Sequence, residues 1–133
     1  IMASLLKVDA LTGVTTAGSI SVTGEGNSTT TNLQQGLAKA WCNFDGTAGS
    51  VSFSDSFNKS SITDDATGAF TTAFTNNMGN ANYTELPVAS DTASIWSRAE
   101  MTTGDCKIFT AVNSTGSLQD RDPTVTATLG DLA

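Results

Sequence analysis

Histidine is absent from these 133 residues. With it go the usual general base near neutral pH and the commonest metal ligand. Ser-His-Asp and Cys-His catalysis and His-containing zinc sites are therefore excluded. Charge is also sparse: Asp, Glu, Lys and Arg together make up 14% of the chain, with a formal net charge of -7. An acidic surplus repels phosphate backbones and anionic lipid, so neither nucleic acid nor membrane insertion is expected. Cysteine occurs only at Cys42 and Cys106, too few for the disulfide framework of a small secreted domain. The pair reads as two small buried hydrophobes on strands, with a single bridge as the alternative. No apolar run approaches the roughly 20 residues that span a bilayer. The N-terminal "ASLLKVDALTG" meets Lys7 and Asp9 before an apolar run reaches the length of a secretory signal, so none is expected. Met2-Ala3-Ser4 reads as a natural start, with Ile1 ahead of it.

Serine and threonine are abundant, making up more than a quarter of the chain, and are joined by 12 glycines and scattered Val, Ile and Phe. That composition predicts β-structure with many turns. The length suits one domain, or a small domain with an appendage. Residues 1–36 contain no aromatic residue, and their apolar positions come in short bursts. "SISVT" alternates as a strand does, with Ile20 and Val22 on one face. So few apolar side chains cannot offset a backbone ordering cost of about 1–2 kcal/mol per residue. The segment is therefore expected to be disordered or ordered by another chain. A short helix is the best reading of Thr31 to Ala38, with Leu33 and Leu37 on one face and Gly36 against it.

From Leu37 onward aromatics appear and alternation is frequent. "LAKAWCNF" sets Ala38, Ala40, Cys42 and Phe44 against Leu37, Lys39, Trp41 and Asn43. "VSFSDSF" puts Val51, Phe53 and Phe57 on alternate positions, "GAFTTAF" does the same for Phe70, Thr72 and Phe74, and "PTVTATL" for Val125, Ala127 and Leu129. Strands at this spacing, joined by Gly, Asn and Asp clusters, predict a mainly β fold. The expected architecture is an antiparallel β-sandwich or jelly-roll-like domain over residues 37–133, preceded by an extended N-terminal arm and joint over residues 1–36.

Few segments invite a chemical reading. "GEGNSTTTNLQQG" begins like a phosphate-binding loop. It lacks the Gly-Lys-Ser/Thr ending, has Thr29 where a third glycine belongs, and carries Glu25 where a phosphate would sit. A joint between arm and domain is the better reading. Asp64-Asp65 and Asp120/Asp122 could ligate a hard cation, but aspartates beside Gly or Pro also make turns. Neither run has the EF-hand spacing, and turns are favoured. Glu25, Glu85 and Glu100 supply no identifiable glycosidase pair. No catalytic residue, metal ligand or cofactor is therefore assigned. Trp41, Tyr83 and Trp96 could stack on sugar or pack in the core. Of the sequons at Asn27, Asn58, Asn82 and Asn113, about two or three would arise by chance with this much Ser and Thr, so they do not establish a secreted glycoprotein.

The run from Leu37 to Thr84 resembles a module of tailed-bacteriophage fibre and virion-surface proteins. The likeness lies in Lys39-Ala40-Trp41, Asn43-Phe44, Gly46-Thr47, Ser56, Asn58, Ser61-Ile62-Thr63-Asp64, Thr67-Gly68, Phe74, Met78 and Asn80-Ala81-Asn82-Tyr83. It extends more thinly over residues 4–112. The chain departs from the pattern at Gly79, where a proline often stands, and at Cys42. The resemblance implies a non-enzymatic virion structural protein, assembled in the bacterial host cytoplasm and trimeric with its own kind. A capsid decoration (cement) protein or short head fibre is expected, docking on other virion proteins such as the major capsid protein. Leu5, Leu6, Val8, Leu11, Val14, Ile20 and Val22 would anchor the arm and join the copies. The alternative is a tail-fibre receptor-binding module that holds host surface glycan through Tyr83 and Trp96.

Overall fold

The computed structural model describes residues 6–13, 20–23, 30–90, 95–112 and 114–130, with side chains at all of these except 34, 35 and 95–98. The chain divides into two compact units, Ile1–Gly36 and Leu37–Ala133.

In the first unit, β1 (Ser21–Thr23) pairs antiparallel with β2 (Thr30–Asn32), Val22 opposite Thr31. A ribbon of three-residue strands is marginal by itself in water. The expected helix is a single turn, α1 (Leu33–Gly36), because Thr30–Asn32 pair as strand. The Leu33 amide donates to the Ile20 carbonyl at 2.9 Å.

The second unit is an antiparallel β-sandwich. Its strands are β3 (Ala38–Phe44), β4 (Phe53–Phe57), β5 (Lys59–Ala66), β6 (Ala69–Phe74), β7 (Thr84–Ala89), β8 (Ile95–Met101), β9 (Asp105–Val112) and β10 (Thr124–Leu129). They form two four-stranded sheets, β4-β3-β10-β7 and β5-β6-β9-β8. Hairpins β3–β4, β5–β6 and β8–β9 stay within one sheet, and the other connections cross between sheets. The crossing from β4 to β5 uses one residue, Asn58, at φ 55. Asparagine tolerates this left-handed backbone, and its amide also fastens the corner. Nδ2 donates to the carbonyls of Lys39 (3.1 Å) and Asn76 (3.2 Å), while Oδ1 accepts from the Asn76 amide at 2.8 Å. Pro87 fits within a strand because β7 lies at a sheet edge.

The core lies between the sheets and gathers Ala40, Cys42, Phe44, Phe70, Phe74, Met78, Tyr83, Cys106 and Ile108. Phe44 and Phe70 meet edge to face at 5.1 Å, one from each sheet. Burying each such side chain is worth about 1.5–3 kcal/mol. Gly46 and Gly68 are among the glycines required by their surroundings. A Cβ at Gly46 would lie 2.8 Å from the Phe70 ring, and Gly68 adopts φ 65 at the β5–β6 turn. Both cysteines are free and buried.

Two alternating runs turn the other way from a simple inward reading. In β10 the buried face carries Thr124, Thr126 and Thr128, so Val125, Ala127 and Leu129 face outward. In β4 a register shift between Asn43 and Phe44 sets Phe53 opposite Phe44 and Phe57 opposite Trp41. The bulge gives one strand two faces for residues of one parity. Phe53 thus packs against the core and Phe57 is exposed.

Candidate functional site

Two features of the sandwich stand out chemically: a buried polar cluster between the sheets, and an apolar outer face.

The cluster centres on Lys59 from β5 and Glu85 from β7. Their charged groups lie 3.7 Å apart, and both side chains are fully shielded from solvent. Lys59 Nζ donates to Thr72 Oγ1 at 3.0 Å and sits 4.0 Å from the centroid of the Phe74 ring. Thr72 in turn donates to the Cys106 carbonyl at 3.4 Å. Thr128 Oγ1 donates to Glu85 Oε2, and Thr126 Oγ1 meets Cys42 Sγ at 3.4 Å. Register explains the grouping, since Thr128 stands opposite Glu85 on one side and Ala40 on the other. The inward threonines of β10 thus have partners that valines would leave unsatisfied. The cluster ties one sheet to the other. Being closed to solvent, it offers no entry for a substrate.

Burial also governs the thiols and the phenol. It raises the Cys42 thiol and pushes Cys106 up to about 12, so neither forms a thiolate nucleophile near neutral pH. Tyr83 is raised for the same first reason. Tyr83 is 5% exposed, with its ring edge-on to Phe74 at 5.6 Å and its hydroxyl donating to the Asp105 carbonyl at 2.9 Å. This corrects the expectation that Tyr83 contacts glycan: a ring packed in the core presents no face to a sugar. Trp96 lies on β8, and its side chain falls outside the described residues.

The acidic runs act as turn fasteners. Asp120 Oδ1 accepts from the Gly68 amide at 2.6 Å, which holds the β5–β6 turn. Asp65 accepts from Thr71 Oγ1 at 2.6 Å and pairs with Lys107 at 3.2 Å; the Thr71 hydroxyl, chiefly, holds its carboxyl below the usual range. Among the described residues no group of three metal-ligating side chains occurs, and no helix is long and apolar enough to cross a membrane.

The outer face of β4-β3-β10-β7 is the second feature. Across the sheet, Leu86, Ala127, Trp41 and Phe57 form one row, and Val88, Val125, Asn43 and Asp55 the next. Trp41 is 37% exposed, Leu86 50%, Phe57 53% and Val88 60%. Asp55 is the one exposed charge on these four strands. Only the alternation around Trp41 hinted at this face in the sequence.

Of the arm residues, Leu6, Val8, Leu11 and Val22 are exposed and Ile20 is partly so. Leu5 and Val14 lie outside the described residues. No protein-family model matches the chain, and no characterised protein or solved structure is significantly similar to it.

Proposed function

We propose that this chain is a non-enzymatic structural protein of a bacteriophage virion: a homotrimeric capsid decoration protein or short head fibre. One observation carries the reading. Many residues of the phage-like pattern occupy the joints and core of the sandwich, others, among them Trp41, Thr63 and Asp64, lie on exposed strand faces, and none of them forms a reactive site. Gly46 admits the Phe70 ring, Asn58 pins the corner between sheets, and Gly68 makes the β5–β6 turn. Phe74, Met78 and Tyr83 fill the core, and Asn80 closes a turn by accepting from the Asn82 amide at 2.7 Å. A pattern made largely of turns and core specifies a scaffold.

The exposed arm residues Leu6, Val8, Leu11 and Val22 support docking on other virion proteins. Burying each is worth about 1.5–3 kcal/mol, multiplied over the copies on a particle. The test is immunogold electron microscopy of intact virions with antibody against residues 37–133. Label spread over the capsid is the expected result. Label confined to the tail would replace this reading with a receptor-binding one, and unlabelled particles would end it.

A further inference from the structure

We infer that the outer face of β4-β3-β10-β7 is the surface through which three copies of this chain meet, each turning that face toward a common axis. The inference rests on the trimeric reading above and gives it an interface.

The first argument is the distribution of apolar surface. Among the described residues, seven large apolar side chains are exposed between Leu37 and Leu118: Leu37, Trp41, Phe57, Leu86, Val88, Met101 and Leu118. Four of them lie on these four strands, and Leu37 immediately precedes β3. Neighbouring strands are about 4.8 Å apart and rise about 3.4 Å per residue, so four strands of six residues offer on the order of 400 Å². A face of this area matches the largest apolar patch of an ordinary monomer, about 300–600 Å², which is often a functional surface.

The second argument concerns which partner fits. The chain carries a formal net charge of -7, so two copies repel each other over most approaches. This face carries one exposed charge, Asp55, on the edge strand β4. Two acidic copies can therefore come together here with little like-charge cost. A basic partner would find little on it to pair with, and a sugar would find few groups to bond. The chemistry that matches an uncharged apolar sheet face is another such face.

The trimeric reading above sets the number of copies, and the composition of the face suggests how they meet. Trp41 and Phe57 form an aromatic side on β3 and β4, Leu86 and Val88 an aliphatic side on β7, and Ala127 sits in the row between them. In a head-to-tail contact the aliphatic side of one copy meets the aromatic side of the next. Such contacts make a ring when the rotation closes. With the small Ala127 nearest the axis, three sandwiches can approach it.

The test is the solution mass of the full chain by light scattering, compared with that of Leu86→Asp and of Thr63→Asp, which lies on the outward side of the other sheet. The expected results are trimers for the native chain and Thr63→Asp, and a threefold fall in mass for Leu86→Asp with its circular dichroism unchanged. A monomeric or dimeric native chain overturns the inference. Trimers that survive Leu86→Asp also overturn it, and leave the virion reading standing with its contacts in the arm. Capsid labelling that fails while Leu86→Asp dissolves trimers removes the virion reading and keeps the interface. If Leu86→Asp does not fold, Trp41 reports instead, in a chain carrying Trp96→Phe. Its emission should be blue-shifted and shielded from iodide in the assembled protein, and should move red on dilution. A Trp41 quenched equally at every concentration contradicts the interface.

Discussion

The two sheets of the sandwich distribute polarity in opposite ways. In β5-β6-β9-β8 the inward row is Phe70, Phe74, Cys106 and Ile108, with Thr72 and Thr110 between them. Its outward positions include Thr63, Asp65, Thr71, Glu100 and Lys107, with Lys107 bridged to Asp65. Apart from Lys59 of β5, which points inward to Glu85, that is ordinary alternation, apolar inside and polar outside. In β4-β3-β10-β7 the strand β3 obeys the same rule with Ala40, Cys42 and Phe44 inward, while β7 and β10 reverse it. Glu85 and three threonines point inward, and Leu86, Val88, Val125, Ala127 and Leu129 point outward. The reversal is affordable inside because each inward polar group finds a partner, whether Lys59, Glu85, Cys42 or the Arg121 carbonyl. Outside, it leaves an exposed apolar face.

The largest effect expected within one chain comes from breaking the inner pair. Glu85→Leu leaves Lys59 charged and uncompensated in the core and should cost about 3–5 kcal/mol in urea unfolding. Lys59→Met combined with Glu85→Leu should recover that loss, because an apolar pair of similar volume removes both desolvation penalties. A single change that proves harmless would mean that the pair does not hold the reversed strand in place.

Smaller effects separate the threonines of β10. Thr128→Val should cost about 1–3 kcal/mol, because Glu85 Oε2 loses its buried donor. Thr126→Val should cost less, since its bond is to a thiol, a weak partner. Equal losses in a denaturant series would show that the inward hydroxyls act by shape alone.

The response to alkali follows from the buried thiols. Cys106 in the folded chain titrates at about 12, above the 9.0 of the exposed thiol. A raised value in the fold means full stability below pH 9, lost as the unfolded chain ionises first and pH climbs toward 12. The slope is about 1.4 kcal/mol per pH unit for one such group. Urea midpoints measured across that window should fall, and should fall less steeply for Cys106→Ala. A flat profile would contradict the burial that shapes the core.

The outer face of the conventional sheet should matter least. Lys107→Ala removes a partly exposed ion pair with Asp65, worth about 0.2–1 kcal/mol and screened by salt. A thermal melt should register it only at low ionic strength, and a larger loss would make this face more than a solvated surface.

These contrasts also show what could be read from the chain alone. The alternation of β3 and β6 was legible because small or apolar residues recur at alternate positions, Ala38, Ala40, Cys42 and Phe44 in β3 and Phe70 and Phe74 about Thr72 in β6. β10 alternates just as clearly, yet a period of two does not say which face is inside. Threonine matches valine in shape, so the choice was made by Glu85 on the next strand, 43 residues away. Glu85 itself was hidden, because "TELPVA" carries a proline that argues against a strand unless the strand lies at an edge. Phe57 was misplaced by a bulge that no local pattern announces. Lys59 and Glu85 gave no signal at all, since their pairing exists only after the sheets are stacked.

The most direct test of the outward face is a chain carrying both Phe57→Cys and Leu86→Cys, mildly oxidised. Within one chain these positions sit at opposite ends of a four-strand row, about 14 Å apart, too far for a disulfide, whose Cα atoms lie within about 7 Å. The account predicts covalent trimers on a non-reducing gel, linked from β7 of one copy to β4 of the next. Oxidised chains that run only as monomers would contradict it.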